Sequence, residues 1–120
     1  MSLLTLLRRG DVVRVRLDPV QGSEQAGERP VLILSPDIIN AHSPVLLVAP
    51  LTSRKTSRVY PFEALVDPPE GGLRIRTKVL LLQMRAVDKN RLRGRYGSLA
   101  PETMRRVDEA LKIAAGLVPV

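Results

Sequence analysis

Apolar positions along this chain fall into short blocks separated by turn-forming residues, and only the last block repeats at helical spacing. Residues 11–17, Asp-Val-Val-Arg-Val-Arg-Leu, alternate over their second half and are rich in β-branched side chains. This predicts a strand with Arg14 and Arg16 on its solvent face. Residues 18–29 hold Pro19, Gly22 and Gly27 among polar positions and read as a loop, longer than most hairpin connections. The continuous apolar runs at 30–35 and 45–51 read as buried strands. Between them, residues 36–40 fit a short helical turn with Ser35 as cap and Pro36 in the first position. Residues 58–66 alternate loosely and predict a third strand, 67–72 a turn, and 78–83 a further strand that continues at 84–87 after a bend. A last short strand falls at 91–96.

The tail changes period. Met104, Val107, Leu111 and Ala115 recur at three and four residues, which predicts a helix over 101–115. Pro101 suits its first position, Glu102 its positive end and Gly116 its close, whereas Ala100 is a poor cap. Many short strands followed by one helix predict a mainly β protein: a small, strongly bent antiparallel barrel with a C-terminal α-helix. No internal repeat, linker or low-complexity segment interrupts the 120 residues, so a single domain over 1–120 is expected, with 1–8 as a flexible leader.

Charge sharpens this picture. Nineteen Lys and Arg against twelve Asp and Glu give +7, a surface that attracts polyanions. Most of the excess is Arg, whose planar fork matches phosphate. Tyr60, Phe62 and Tyr96 are the whole aromatic set, so any nucleic-acid binding would have to rest on backbone phosphates and hydrogen bonds and not on base stacking. There is no cysteine, and His42 is the only histidine. With no carboxylate cluster at ligand spacing, a hydrolytic metal site and a histidine-pair ribonuclease are both disfavoured, and no cofactor is expected. His42 reads as a solvated residue near a turn. No phosphate-cradling glycine motif appears. No apolar run reaches the ~20 residues of a membrane span, and the charges of Arg8 and Arg9 follow the short apolar start instead of preceding it. A soluble, cytoplasmic protein is the expectation.

Two stretches can carry chemistry. Residues 22–30, Gly-Ser-Glu-Gln-Ala-Gly-Glu-Arg-Pro, set two glycines, a carboxylate and Arg29 in a loop that feeds a buried strand. Pro30 fixes the direction of entry, so a rigid element can aim Arg29. Spacing alone slightly favours a solvated hairpin with an incidental ion pair. Residues 49–53 bring the hydroxyls of Thr52 and Ser53 to the end of a buried strand, where they could bind a phosphate; a turn is the default reading.

The order Arg9-Gly10-Asp11-Val12-Val13, Asp18-Pro19, Gly22-Ser23-Glu24-Gln25-x-Gly27-x-Arg29-Pro30, Pro50-Leu51-Thr52-Ser53 and Gln83-Met84-Arg85-Ala86-Val87-Asp88-Lys89 resembles the MazF/PemK/Kid toxins over nearly the whole chain. The resemblance implies an SH3-like barrel of the plasmid-maintenance toxin type, acting as a homodimer. It implies metal-independent cleavage of single-stranded RNA, and an acidic MazE-like antitoxin whose disordered segment covers the RNA-binding surface. The positions matching the family's catalytic residues are Arg29 and Thr52, with Glu24 proposed in some members. Ser23, Gln25, Ser53, Gln83, Arg85, Arg14 and Arg16 are the candidate RNA contacts.

Chemistry distinguishes these roles. Metal-free cleavage needs a base for the 2′-hydroxyl, neutralisation of charge on the phosphate, and a proton for the leaving oxygen. Arg29 suits the second task and, being unable to deprotonate, not the first. Glu24 is the candidate base, Thr52 and Ser53 donors to a non-bridging oxygen, and Gln83 a reader of base edges. Two positions depart from the family pattern. Leu82 stands where an acidic residue is common, and Val20 and Gln21 where an aromatic occurs. The same barrel also serves CcdB-like toxins that bind DNA gyrase without catalysis, and a bare RNA-binding module is a third possibility.

Overall fold

The computed structural model describes residues 7–17 and 27–120. Its strands are β1 (Asp11–Leu17), β2 (Gly27–Ile33), β3 (Val45–Thr52), β4 (Glu63–Val66), β5 (Thr77–Leu80), β6 (Arg85–Asp88) and β7 (Leu92–Ser98), with helices α1 (Asp37–His42) and α2 (Pro101–Ala114). They form one seven-stranded sheet in the order β4-β5-β3-β2-β1-β7, with β6 also on β3. Every pairing is antiparallel.

The strands in the middle are apolar on both faces because each face covers its own core. Val12, Leu32, Ala49, Leu51 and Val79 pack with Val107 and Ala110 of α2, while Val13, Val15, Val31, Ile33 and Val48 pack with Leu46 and Val87. Burial of this kind stabilises by about 25 cal/mol per Å² of apolar surface. In β1 the alternation leaves Arg14 and Arg16 toward solvent, as the pattern predicts. In β3 the first half is not fully buried, since Val45 and Leu47 are exposed.

β3 is served by two strands along one edge. Its C-terminal end pairs with β5 through Leu51↔Val79, and its N-terminal half pairs with β6 through Val48↔Arg85. An unbroken register would set Leu82 opposite Val48. The three surplus residues are taken up by a 3-10 turn, Leu81–Gln83, which is the bend expected after the strand at 78–83; β5 itself stops at Leu80.

Several boundaries differ from the sequence reading. β2 begins at Gly27, so the end of the expected loop is already strand. Residues 58–62 are not strand, and only Glu63–Val66 pairs with β5. Ser35 does not cap α1, whose N-cap is Pro36. Its hydroxyl instead donates to Asn40 Oδ1 at 2.6 Å and accepts the Leu47 N–H at 3.1 Å. This satisfies an asparagine that is fully buried. His42 is exposed at the end of α1 and not in a loop.

The two ends of the strand path, β4 and β7, are not paired with each other among the described residues. The turn 70–72 packs on β7 at that seam. A Cβ on Gly72 (φ +73°) would lie 2.2 Å from the Tyr96 carbonyl oxygen, and one on Gly97 would lie 2.8 Å from the Gly71 carbonyl carbon. Only glycine permits that approach. Glu70 in the same turn accepts the Ala100 N–H at 2.8 Å. A carboxylate thereby stands at the start of α2, where Ala100 supplies no side-chain cap. No helix among the described residues is long and apolar enough to cross a membrane.

Candidate active site

The β2–β3 ladder runs Ile33↔Val48, Leu32↔Ala49, Val31↔Pro50 and ends there. Pro30 and Pro50 withhold backbone donors at the point where it ends, which lets the two strands part. Continuing the register by two residues sets Arg29 opposite Thr52. These residues line one open cleft of about 390 Å³, together with Ser53, Arg54, Arg74 and Tyr96. The opposite wall, residues 72–75, is held against β7 by the glycine contacts at the seam.

Thr52 is oriented by its own turn. Its Oγ1 accepts the Arg54 N–H at 3.1 Å. The hydroxyl thus starts a turn, as the default reading has it, and still keeps its hydrogen to donate. Arg54 and Arg74 form no ion pair among the described residues. The cleft is accordingly cationic with a directed hydroxyl, an arrangement suited to holding a phosphodiester.

On its other edge Thr52 pairs with Lys78 of β5. A second cleft of about 550 Å³ opens there, sharing Thr52 and Arg54 with the first and lined also by Lys55, Arg58, Tyr60 and Lys78. Thr52 and Arg54 thus stand between the two clefts at the end of β3.

Of the expected site residues, Arg29, Thr52 and Ser53 come together in the first cleft. Ser23, Glu24 and Gln25 lie outside the described residues. Arg14 and Arg16 line neither cleft. Arg14 pairs with Glu28 at 3.0 Å and donates to the Arg93 carbonyl at 3.0 Å, while Arg16 is exposed. Gln83 and Arg85, in the 3-10 turn and β6, also line neither cleft.

The sequence reading passed over Arg54, Arg74 and Tyr96 in the first cleft and Arg58, Tyr60 and Lys78 in the second. The available signal was the density of cations immediately after Thr52-Ser53, at Arg54, Lys55 and Arg58. The aromatic side chains, few as they are, gather here. Tyr96 lines one cleft, Tyr60 the other, and Phe62 stacks on Tyr60 with ring centroids 5.4 Å apart. Dismissing aromatic contacts for scarcity overlooked that placement.

A seven-stranded antiparallel sheet with a terminal helix, presenting a cationic cleft where two of its strands separate, defines a small mainly β protein. The family model for PemK-like, MazF-like toxins of type II toxin–antitoxin systems matches residues 8–115, and the chain belongs to that family. It is 40% identical over 113 residues to Endoribonuclease EndoA of Bacillus subtilis (strain 168), a match covering 94% of this chain and 97% of EndoA. Its fold is similar to an endoribonuclease from a mycobacterial species, solved in complex with its cognate antitoxin. That likeness has a TM-score of 0.77 and 25% identity over 95% of this chain and 99% of the other. MazF of Deinococcus radiodurans gives a TM-score of 0.75 and 28% identity over 92% and 96% of the respective chains.

Proposed function

We propose that this chain is an endoribonuclease toxin that cuts single-stranded RNA without a metal ion and is neutralised by a cognate acidic antitoxin. The observation that carries the reading is the meeting of Arg29 and Thr52 in one cationic cleft, in a chain of the MazF-like family. The 2′-oxygen attacks the adjacent phosphorus, the bond to the 5′-oxygen breaks as that oxygen takes a proton from water, and the products carry a 2′,3′-cyclic phosphate and a 5′-hydroxyl. Arg29 forks across the non-bridging oxygens as charge builds on them. Thr52 donates its hydroxyl hydrogen to the same group, and Ser53 assists. Glu24 takes the 2′-hydroxyl proton. Arg54 and Arg74 raise the local concentration of the polyanion.

Arg16 adds long-range attraction from outside the clefts, and Gln83 and Arg85 reach RNA where the strand continues beyond them. The protein works in the cytoplasm as a homodimer, and the acidic segment of its antitoxin competes for the cationic surface. The gyrase-directed alternative is not favoured, because the family match and the curated relative point to RNA cleavage.

The test is incubation of the purified protein with a long RNA in excess chelator. Discrete cuts ending in 2′,3′-cyclic phosphate are expected, and the Arg29→Ala protein should leave the RNA whole. RNA that stays intact at every wild-type concentration overturns the reading.

A further inference from the structure

Arg14 lies just outside the first cleft and is held unlike a phosphate clamp. On β1 it pairs with Pro30 of β2, which lines the cleft, and on its other side with Gly94 of β7. Directly paired residues point to the same face, so these three share one surface of the sheet. Arg14 is two strands from Thr52, roughly 10 Å at the usual strand spacing. A Cβ on Gly94 would lie 3.1 Å from Arg14 Nη2, 3.3 Å from Cζ and 3.8 Å from Nε. An edge-on approach through Nη2 would leave Cζ farther by most of the ~1.3 Å C–N bond. The guanidinium therefore lies flat over Gly94, and the missing side chain is what makes room for it.

One edge of that plane is already engaged. Nη2 donates to the Arg93 carbonyl at 3.0 Å, and Nε lies 3.0 Å from Glu28 Oε1. Nε is buried and forms no hydrogen bond among the described residues, so Glu28 restrains the group by charge. A phosphate needs two parallel N–H groups of a free fork, and the carboxylate beside this one opposes an anion. Yet the Arg14 side chain is 43% exposed. With one face against Gly94, that exposure belongs to the side turned away from it. An open guanidinium plane of fixed orientation is a stacking surface for a nucleobase.

We propose that Arg14, seated on Gly94 and restrained by Glu28, is a stacking platform for one nucleobase near the cleaved bond, on the β1–β7 side of the first cleft. This rests on the endoribonuclease reading above and adds a base subsite to it. In a chain with three aromatic residues, a planar cation supplies a flat surface where no ring stands. The competing use is attraction of a flanking phosphate by charge alone. Lysine separates the two, because it keeps the charge and loses the plane.

The experiment maps the cut on a long RNA first. Oligonucleotides spanning the mapped site are then made with a 2′-deoxy sugar at the cut, which removes the attacking hydroxyl and keeps them whole. An abasic nucleotide, which keeps the phosphate and lacks the base, is placed at each flanking position in turn. Affinity is measured for wild type, Arg14→Ala, Arg14→Lys and Gly94→Val, the last to lift the guanidinium off its bed. Thermal melts confirm that each variant is folded. In the wild type, removing the base at one position near the cut should weaken binding by roughly tenfold. In each of the three variants, removing that base should cost about twofold or less. A cost that stays at wild-type size at every position in Arg14→Lys or in Gly94→Val overturns the proposal. In the phosphate alternative, Arg14→Ala weakens binding equally with and without each base, and that outcome overturns it too. Wild type that cuts RNA but loses nothing at any abasic position sinks the subsite alone. Wild type that cuts no RNA sinks the parent reading instead.

Discussion

The hydroxyl oxygen of Thr52 accepts the backbone N–H of Arg54 at 3.1 Å, which fixes the oxygen and keeps its hydrogen available to donate to a substrate. Serine can make the same turn with the same free hydrogen; valine can make neither bond. Thr52→Ser is expected to keep single-turnover cleavage within a fewfold of wild type. Thr52→Val is expected to lose on the order of 10²-fold, the usual effect of removing one preorganised donor. A valine variant that cuts at the wild-type rate would remove Thr52 from the mechanism.

Arg29 stands at the open end of the β2–β3 ladder, where a planar fork can span two phosphate oxygens. Arg29→Lys is therefore expected to be nearly as damaging as Arg29→Ala, each costing on the order of 10²-fold or more in rate. Rates measured at saturating protein decide it. Substantial activity in the lysine variant would mean that charge alone suffices.

The seam between β4 and β7 predicts a contrast between two glycines. Gly72 and Gly116 both have positive φ, at +73° and +76°, but a Cβ on Gly72 meets the Tyr96 carbonyl at 2.2 Å and one on Gly116 meets nothing within 4 Å. Gly116→Ala should cost about 1 kcal/mol from backbone strain alone. Gly72→Ala should cost about 2–4 kcal/mol, because strain and steric overlap combine. Urea unfolding with unchanged m-values measures both, and equal costs would contradict the close packing of the seam.

Breaking the Lys78–Glu63 pair leaves an uncompensated buried charge. Lys78→Met is expected to destabilise by about 3 kcal/mol, and adding Glu63→Leu should restore most of that loss. A double-mutant cycle by chemical denaturation gives the coupling directly. Additive losses would show that the pair is not coupled as its 2.9 Å separation indicates.

Local signals carried much of the fold. β1 is legible over its second half, where Val13, Val15 and Leu17 enter a core and Arg14 and Arg16 face solvent, and α2 is legible because its period is set by a core on one side, with Pro101 and Gly116 marking the helix ends. Residues 58–62 were misread as strand because their irregular course depends on Lys78, a partner remote in sequence. Within the site, Arg29 and Thr52 stood out through family motifs, but their meeting depends on a register that no local pattern reveals. Arg74 and Tyr96 were missed for a related reason. Their loop and strand are brought together by Gly71, Gly72 and Gly97, and a Gly-Gly pair in sequence shows only a turn.

The single edge of β3 that carries both β5 and β6 has a dynamic consequence. Fraying of either neighbour leaves β3 anchored by the other and by β2, so its backbone amides near Val48 and Ala49 should be among the slowest to exchange with deuterium. Thr52 is the last residue of that strand. The protein thus anchors the hydroxyl that meets the substrate to its most persistent segment, and exchange should quicken only beyond Thr52.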